Sequence, residues 1–130
     1  MRVHITGASG FIGKALLNYL KKKHVNFIGY SRTNISNLKQ VSSYKNITAD
    51  RGDVLIHLAQ NSSTETLNIE DEINTLEILS KQNWKHIIYA SSSAVYGNSE
   101  ATPHFTYEPV LEHNDYTKVK INSEEIIKNI

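Results

Sequence analysis

Cysteine is absent from the 130 residues, which excludes disulfides, thiolate nucleophiles and Cys-ligated zinc. Also missing is any apolar run near the roughly 20 residues that a membrane helix requires, so no membrane partner is expected. Neither sign of charge is in excess. Fourteen Lys and Arg stand against 13 Asp and Glu, a net +1, which offers no basic face to nucleic acid and no acidic tail. Internal repeats and low-complexity tracts are lacking too. Strand-like residues begin at position 2, so no signal peptide is expected, and a cytoplasmic setting is expected too. What remains is 39% hydrophobic and 21% charged, the balance of one folded domain over residues 1–130.

The pattern alternates between two periods. "RVHIT" (2–6) and "NFIGY" (26–30) suit strands, and "DVLIHLA" (53–59) and "HIIYAS" (86–91) are buried apolar runs of the kind parallel sheets contain. Residues 46–49 are expected to form a weak third strand, and 34–41 a short helix. Phe11, Ile12, Ala15, Leu16, Tyr19 and Leu20 recur at helical spacing, ending at the basic "KKKH" that suits a helix C-terminus. A second helix is predicted over 68–82, with Ile69, Ile73, Leu76 and Leu79 or Ser80 on one side. A third runs over about 115–129, with Tyr116, Val119, Lys120, Ser123 and Ile127 sharing a face. The expected class is α/β, with a parallel sheet and ligands beyond the carboxyl ends of its strands.

Gly7-x-x-Gly10-x-x-Gly13 falls directly between the first strand and the first helix. There, glycine permits a tight turn and lets backbone approach a pyrophosphate, whose charge the free N–H groups of the helix start can hold. The bland alternative is a plain strand–helix turn. With Thr6, the stretch "TGASGFIG" resembles the extended branch of the short-chain dehydrogenase/reductase superfamily, the NAD-dependent epimerase/dehydratase proteins that modify nucleotide sugars. That resemblance implies a Rossmann-like doubly wound sheet. It also implies a dinucleotide held by Gly7, Ser9, Gly10, Phe11, Ile12 and Gly13, and by Leu58 and Ala59 of "HLAQ", with His57 packing at the strand end.

The end of the second strand reads Tyr30-Ser31-Arg32, with no acid to bond ribose hydroxyls. A serine hydroxyl and a guanidinium suit a 2′-phosphate, which favours NADP over the alternative NAD. Asp50 resembles the family acid near the adenine.

"YASSSAVYG" (89–97) resembles the family's fifth strand, which implies Ser92 as the catalytic hydroxyl and Ser91 beside the cofactor. Tyr116-x-x-x-Lys120 follows Ser92 by 24 residues and spans about one helical turn. The resemblance implies Tyr116 as acid/base, with Lys120 as its charge partner and as a ligand of the nicotinamide ribose. An ammonium beside a phenol favours the phenolate. Ser92 would orient the substrate oxygen and stabilise charge developing on it. Glu124 reads as structural, and Asn74 is the nearest match to a family asparagine.

The family fold continues for a similar length past such a helix, into a substrate lobe. The resemblance therefore covers essentially all of this chain but only the N-terminal half of that fold. Ile121, Ile126, Ile127 and Ile130 are expected at an open sheet edge, to be covered by such a lobe, a partner chain or a second copy. The expected substrate is a nucleotide-activated sugar. The rival readings are a dinucleotide-binding module or fragment without turnover, and an NADPH-sensing relative.

Overall fold

The computed structural model describes residues 1–61, 63, 65–97 and 104–130. Five parallel strands pair in the order β3-β2-β1-β4-β5: β1 (Val3–Thr6), β2 (Phe27–Ser31), β3 (Lys39–Gln40), β4 (Val54–His57) and β5 (His86–Tyr89). Three helices connect or flank them: α1 (Phe11–Lys22), α2 (Ile69–Ser80) and α3 (Asp115–Lys128).

The register sorts side chains onto two faces, because alternate residues of a strand point opposite ways. On one face Val3, Ile5, Phe27 and Ile56 pack with Leu16, Leu17 and Leu20 of α1. On the other, Ile28, Tyr30, Leu55 and Ile87 pack with Leu79 of α2 and with Val41, Ile47 and Trp84. Helices on both faces of a parallel sheet make this the doubly wound α/β class expected from the pattern.

Capping chemistry fixes the later helices. The Asn68 side chain accepts from Asp71 N at the start of α2, and Glu70, Asp71 and Glu72 fill its first turn, where the helix dipole favours acids. Asn114 and Thr117 form a reciprocal capping box on α3. α1 departs from the periodicity read above: Gly13, Leu16, Leu17 and Leu20 face inward, whereas Phe11 is 95% exposed.

Two expectations fail between β2 and β4. Residues 34–41 form no helix: a turn closed by Leu38 N to Ile35 O leads into the two-residue β3. Residues 46–49 form no strand. The chain makes a 3₁₀ turn at Tyr44–Asn46, and beyond it the Gln82 side chain supplies the missing partners. Its amide donates to Ile47 O at 2.6 Å and accepts from Ala49 N at 2.8 Å, so the backbone is satisfied without a neighbouring strand.

Among the isoleucines expected at an open edge, Ile130 is 67% exposed, while Ile121, Ile126 and Ile127 are half-buried against the fold. Ile88 of β5 is 53% exposed on the face that α1 covers farther across the sheet.

Candidate functional site

The turn after β1 sits where three backbone segments nearly touch. Gly7 has φ +66°, and a β-carbon on it would lie 2.8 Å from Ala59 N; one on Gly13 would lie 2.3 Å from Gly7 O. Both glycines are therefore required by close packing of the loop against itself and against the exit of β4. Gly10 is different: it heads α1 with an ordinary φ of −74° and caps it with no side chain. The first N–H groups of α1 thus have no side-chain acceptor, which suits an anion.

Beyond these strand ends opens a cavity of about 510 Å³, lined at one end by Gly7, Ser9, Gly10, Leu58 and Ala59. At its other end stand Arg32, Ser42, Ser43 and Tyr44, with Asp71, Glu72 and Thr75 of α2 opposite. The Arg32 guanidinium lies over the Tyr44 ring, 5.7 Å from its centroid. Burial pushes the Glu72 carboxyl up, against the Asn61 N–H it accepts at 3.2 Å and the nearby Arg32.

Several expected cofactor residues do not line this cavity. Ser31 is buried, and its hydroxyl accepts from Thr33 N rather than facing the cavity. Phe11, Ile12 and Gly13 start α1 but do not line the cavity. Asp50 lies in the turn before β4, at the opposite end of the strands, where its carbonyl accepts from Asp53 N. Asn74 does not line the cavity and sits in a surface depression with Asn68, Glu70 and Asp71.

A second group of residues adjoins the cavity at the end of β5. Lys120 of α3 is 6% exposed and donates to Ala90 O at 2.6 Å. Its ammonium lies 5.6 Å from the centre of the Tyr116 ring and 4.9 Å from that of Tyr89. Burial pushes Lys120 down, against the raising influence of Glu72 and Glu124. Ser92, two residues past Ala90, caps a 3₁₀ turn at Ser93–Tyr96 by accepting from Ala94 N. The Ser91 hydroxyl donates to Glu124, so Glu124 ties α3 to this turn.

Thr6, His57 and Tyr89 form a row across the ends of β1, β4 and β5. The Thr6 hydroxyl accepts from Leu58 N and Ala59 N and lies 2.8 Å from His57 Nδ1. With its oxygen so occupied, Thr6 donates to Nδ1, and neutral His57 carries its proton on Nε2. Among the described residues Nε2 has no partner, and burial, then the Lys120 charge, pushes His57 down to about 4.

Gln60 joins the two groups. It lines the cavity, accepts from the Tyr89 hydroxyl at 2.5 Å and donates to Ser123 of α3 at 3.2 Å. Gln60 and Tyr89 lie inside the quoted "HLAQ" and "YASSS" stretches, yet only the strand pairing shows that they meet. Tyr44, Asp71 and Glu72 carried no signal beyond residue type.

Known proteins resemble this one throughout. The model of the NAD-dependent epimerase/dehydratase family matches residues 3–130. UDP-glucose 4-epimerase 2 of Oryza sativa subsp. japonica is 33% identical over 63 residues, covering 48% of this chain and 15% of the relative. GDP-6-deoxy-D-mannose reductase of Pseudomonas aeruginosa is 26% identical over 138 residues, covering 96% and 45%. The structure of MoeE5 in complex with UDP-glucose and NAD superposes with a TM-score of 0.82 at 18% identity, over 98% of this chain and 48% of that one. The chain thus spans less than half the length of these relatives.

Proposed function

The chain belongs to the NAD-dependent epimerase/dehydratase family, and from that premise we propose that it serves hydride-transfer chemistry on a nucleotide-activated sugar. The observation that carries this reading is the position of Lys120, beside Tyr116 and bonded to Ala90, next to an open glycine-lined cavity.

The cavity residues fit a dinucleotide. Gly10 leaves the helix start bare for a pyrophosphate, and Leu58 and Ala59 present small or apolar surface beside it. Arg32, stacked over Tyr44, would receive an adenosine 2′-phosphate, so NADP(H) is the proposed cofactor. Asp71 and Glu72 face the same space and oppose that preference, which makes the Arg32 test decisive.

A bound nicotinamide supplies the site that gives or takes hydride. Tyr116 would give or take the proton of the sugar oxygen at the carbon oxidised or reduced. Lys120 would hold positive charge beside the phenol and bond the nicotinamide ribose, and Ser92 would hydrogen-bond the same sugar oxygen. Acid and base chemistry on a transient 4-keto sugar serves epimerases and reductases alike. Arg32 tilts the reading toward a reductase that consumes NADPH.

The test is a fluorescence titration of the chain with NADPH and with NADH, for wild type and Arg32→Ala. Tighter NADPH binding that Arg32→Ala abolishes supports the assignment. Equal affinities that Arg32→Ala leaves unchanged move the reading to NAD, and absence of binding at millimolar nucleotide overturns it.

A further inference from the structure

Lys120 is held by more than its hydrogen bond to Ala90 O. Its ammonium is 4.9 Å from the Tyr89 ring centre, closer than the 5.6 Å to Tyr116. Tyr89 is itself immobilised from two sides. Its hydroxyl donates to Gln60, which is bonded in turn to Ser123, and its ring stacks on His57 at 6.2 Å and 20°. His57 is fixed by Thr6, whose oxygen also accepts the two N–H groups that follow His57. The strand register puts Thr6, His57 and Tyr89 in line, so this stack is a product of the sheet and not of a loop.

We propose that Tyr89 is the positioning residue for Lys120: its ring is a cation–π seat, backed by neutral His57, that fixes the ammonium between Ala90 O and Tyr116. The proposal rests on the reading of Lys120 as the charge partner of Tyr116, and it adds the device that holds the charge there. An ammonium on a flexible four-carbon stem has many rotamers. A ring face within about 6 Å selects among them and favours the charged form. The other charged or titratable groups facing Lys120 are Glu72 from α2, Glu124 and Tyr116 from α3, and His57 from β4. Glu72 and Glu124 also favour the ammonium, so the seat adds to them. His57 must stay uncharged to avoid opposing it, as its burial ensures. Tyr89 keeps its proton, because burial pushes its hydroxyl up to about 12.

The experiment needs neither nucleotide nor substrate. Lysine side chains of the full chain are labelled with ¹³C and ¹⁵N, and Lys120 is followed by NMR through a pH titration. Wild type, Tyr89→Phe and Tyr89→Leu are compared. In wild type the Lys120 ε-protons should be shifted upfield by the rings and should show nuclear Overhauser contacts to Tyr89. Tyr89→Leu should lose most of that shift and lower the Lys120 pKa by roughly half a unit to one and a half units. Tyr89→Phe keeps the ring and should behave as wild type. If Tyr89→Phe matches Tyr89→Leu, the Gln60 hydrogen bond positions Lys120 and the proposal falls. If Tyr89→Leu leaves both readings unchanged, it also falls. Should Tyr89→Leu fail to fold, the wild-type Overhauser contacts decide, their absence overturning the seat. A seat that stands in a chain that binds no dinucleotide would defeat the proposed function alone.

Discussion

His4 and His57 occupy adjacent strands, face the same side of the sheet and are both almost wholly buried. Their surroundings differ in kind. His4 meets Tyr30 OH and Asp53 Oδ2, each at 2.9 Å, with Trp84 edge-on at 5.1 Å. Burial pushes the Asp53 carboxyl up, but bonds from Arg2 N, His4 and Asp50 N outweigh it and hold it low. His57 satisfies one nitrogen through Thr6 and leaves the other without a partner among the described residues. Toward the amino ends of the strands, polar groups are closed on one another. Toward the carboxyl ends, polar groups are left over: a bare helix start and, among the described residues, an unpartnered imidazole N–H. The first arrangement stabilises the sheet, and the second leaves it equipped to take a ligand.

The largest effect that would sharpen this contrast is on stability against pH. The folded-state value of about 4 for His57 lies below the ordinary 6.5, so the unfolded chain takes up its proton first. The His57 contribution is intact above about pH 6.5 and is lost as pH falls toward 4, a cost on the order of 3 kcal/mol. Urea unfolding of wild type and His57→Asn between pH 7 and 4 should show a steeper loss for wild type. Parallel losses would break the comparison.

Next in size is the opposite end of the strands. His4→Leu removes the imidazole from between Tyr30 and Asp53 and should cost about 1–3 kcal/mol in urea unfolding. Dinucleotide affinity should stay as it was; a matching drop in affinity would mean that the two ends are not separable.

The smallest effect falls on binding alone. A β-carbon on Gly10 meets only Gly7 O, at 3.2 Å, so Gly10→Ala should leave the thermal midpoint within about 2 °C of wild type. It should weaken dinucleotide binding about tenfold in the fluorescence titration, because it takes the space a pyrophosphate approaches through. An unchanged affinity would place the anion elsewhere.

The sheet was readable from periodicity because four of its strands are runs of four or five residues with strong apolar character. The exception, β3, is two exposed residues, Lys39 and Gln40, and no pattern can announce a strand that short. The expected strand at 46–49 failed for a related reason: its backbone bonds go to Gln82, 33 and 35 residues away, and nothing local marks that pairing. At the site, the spacing Tyr116-x-x-x-Lys120 was legible because one helical turn is a local property. The bond from Thr33 N to the Ser31 hydroxyl was not legible, because the sequence shows that a hydroxyl ends β2 but not which way it turns. The acidic wall of Asp71 and Glu72 was invisible, since it arises only where α2 crosses the cavity.

The strand order has a consequence for how the molecule comes into being. β1 is the middle strand, yet it is the first made, and its neighbour in β4 begins 51 residues later, Val3 pairing with Val54. At a synthesis rate of about 5–20 residues per second, β1 waits roughly 3–10 s for that neighbour to be translated. Pairings so distant in sequence are slow to form, because loop closure must precede the contacts that reward it. Gly7 cannot settle until Leu58 and Ala59 arrive to pack against it. The glycine turn is therefore translated well before the segment that makes it rigid.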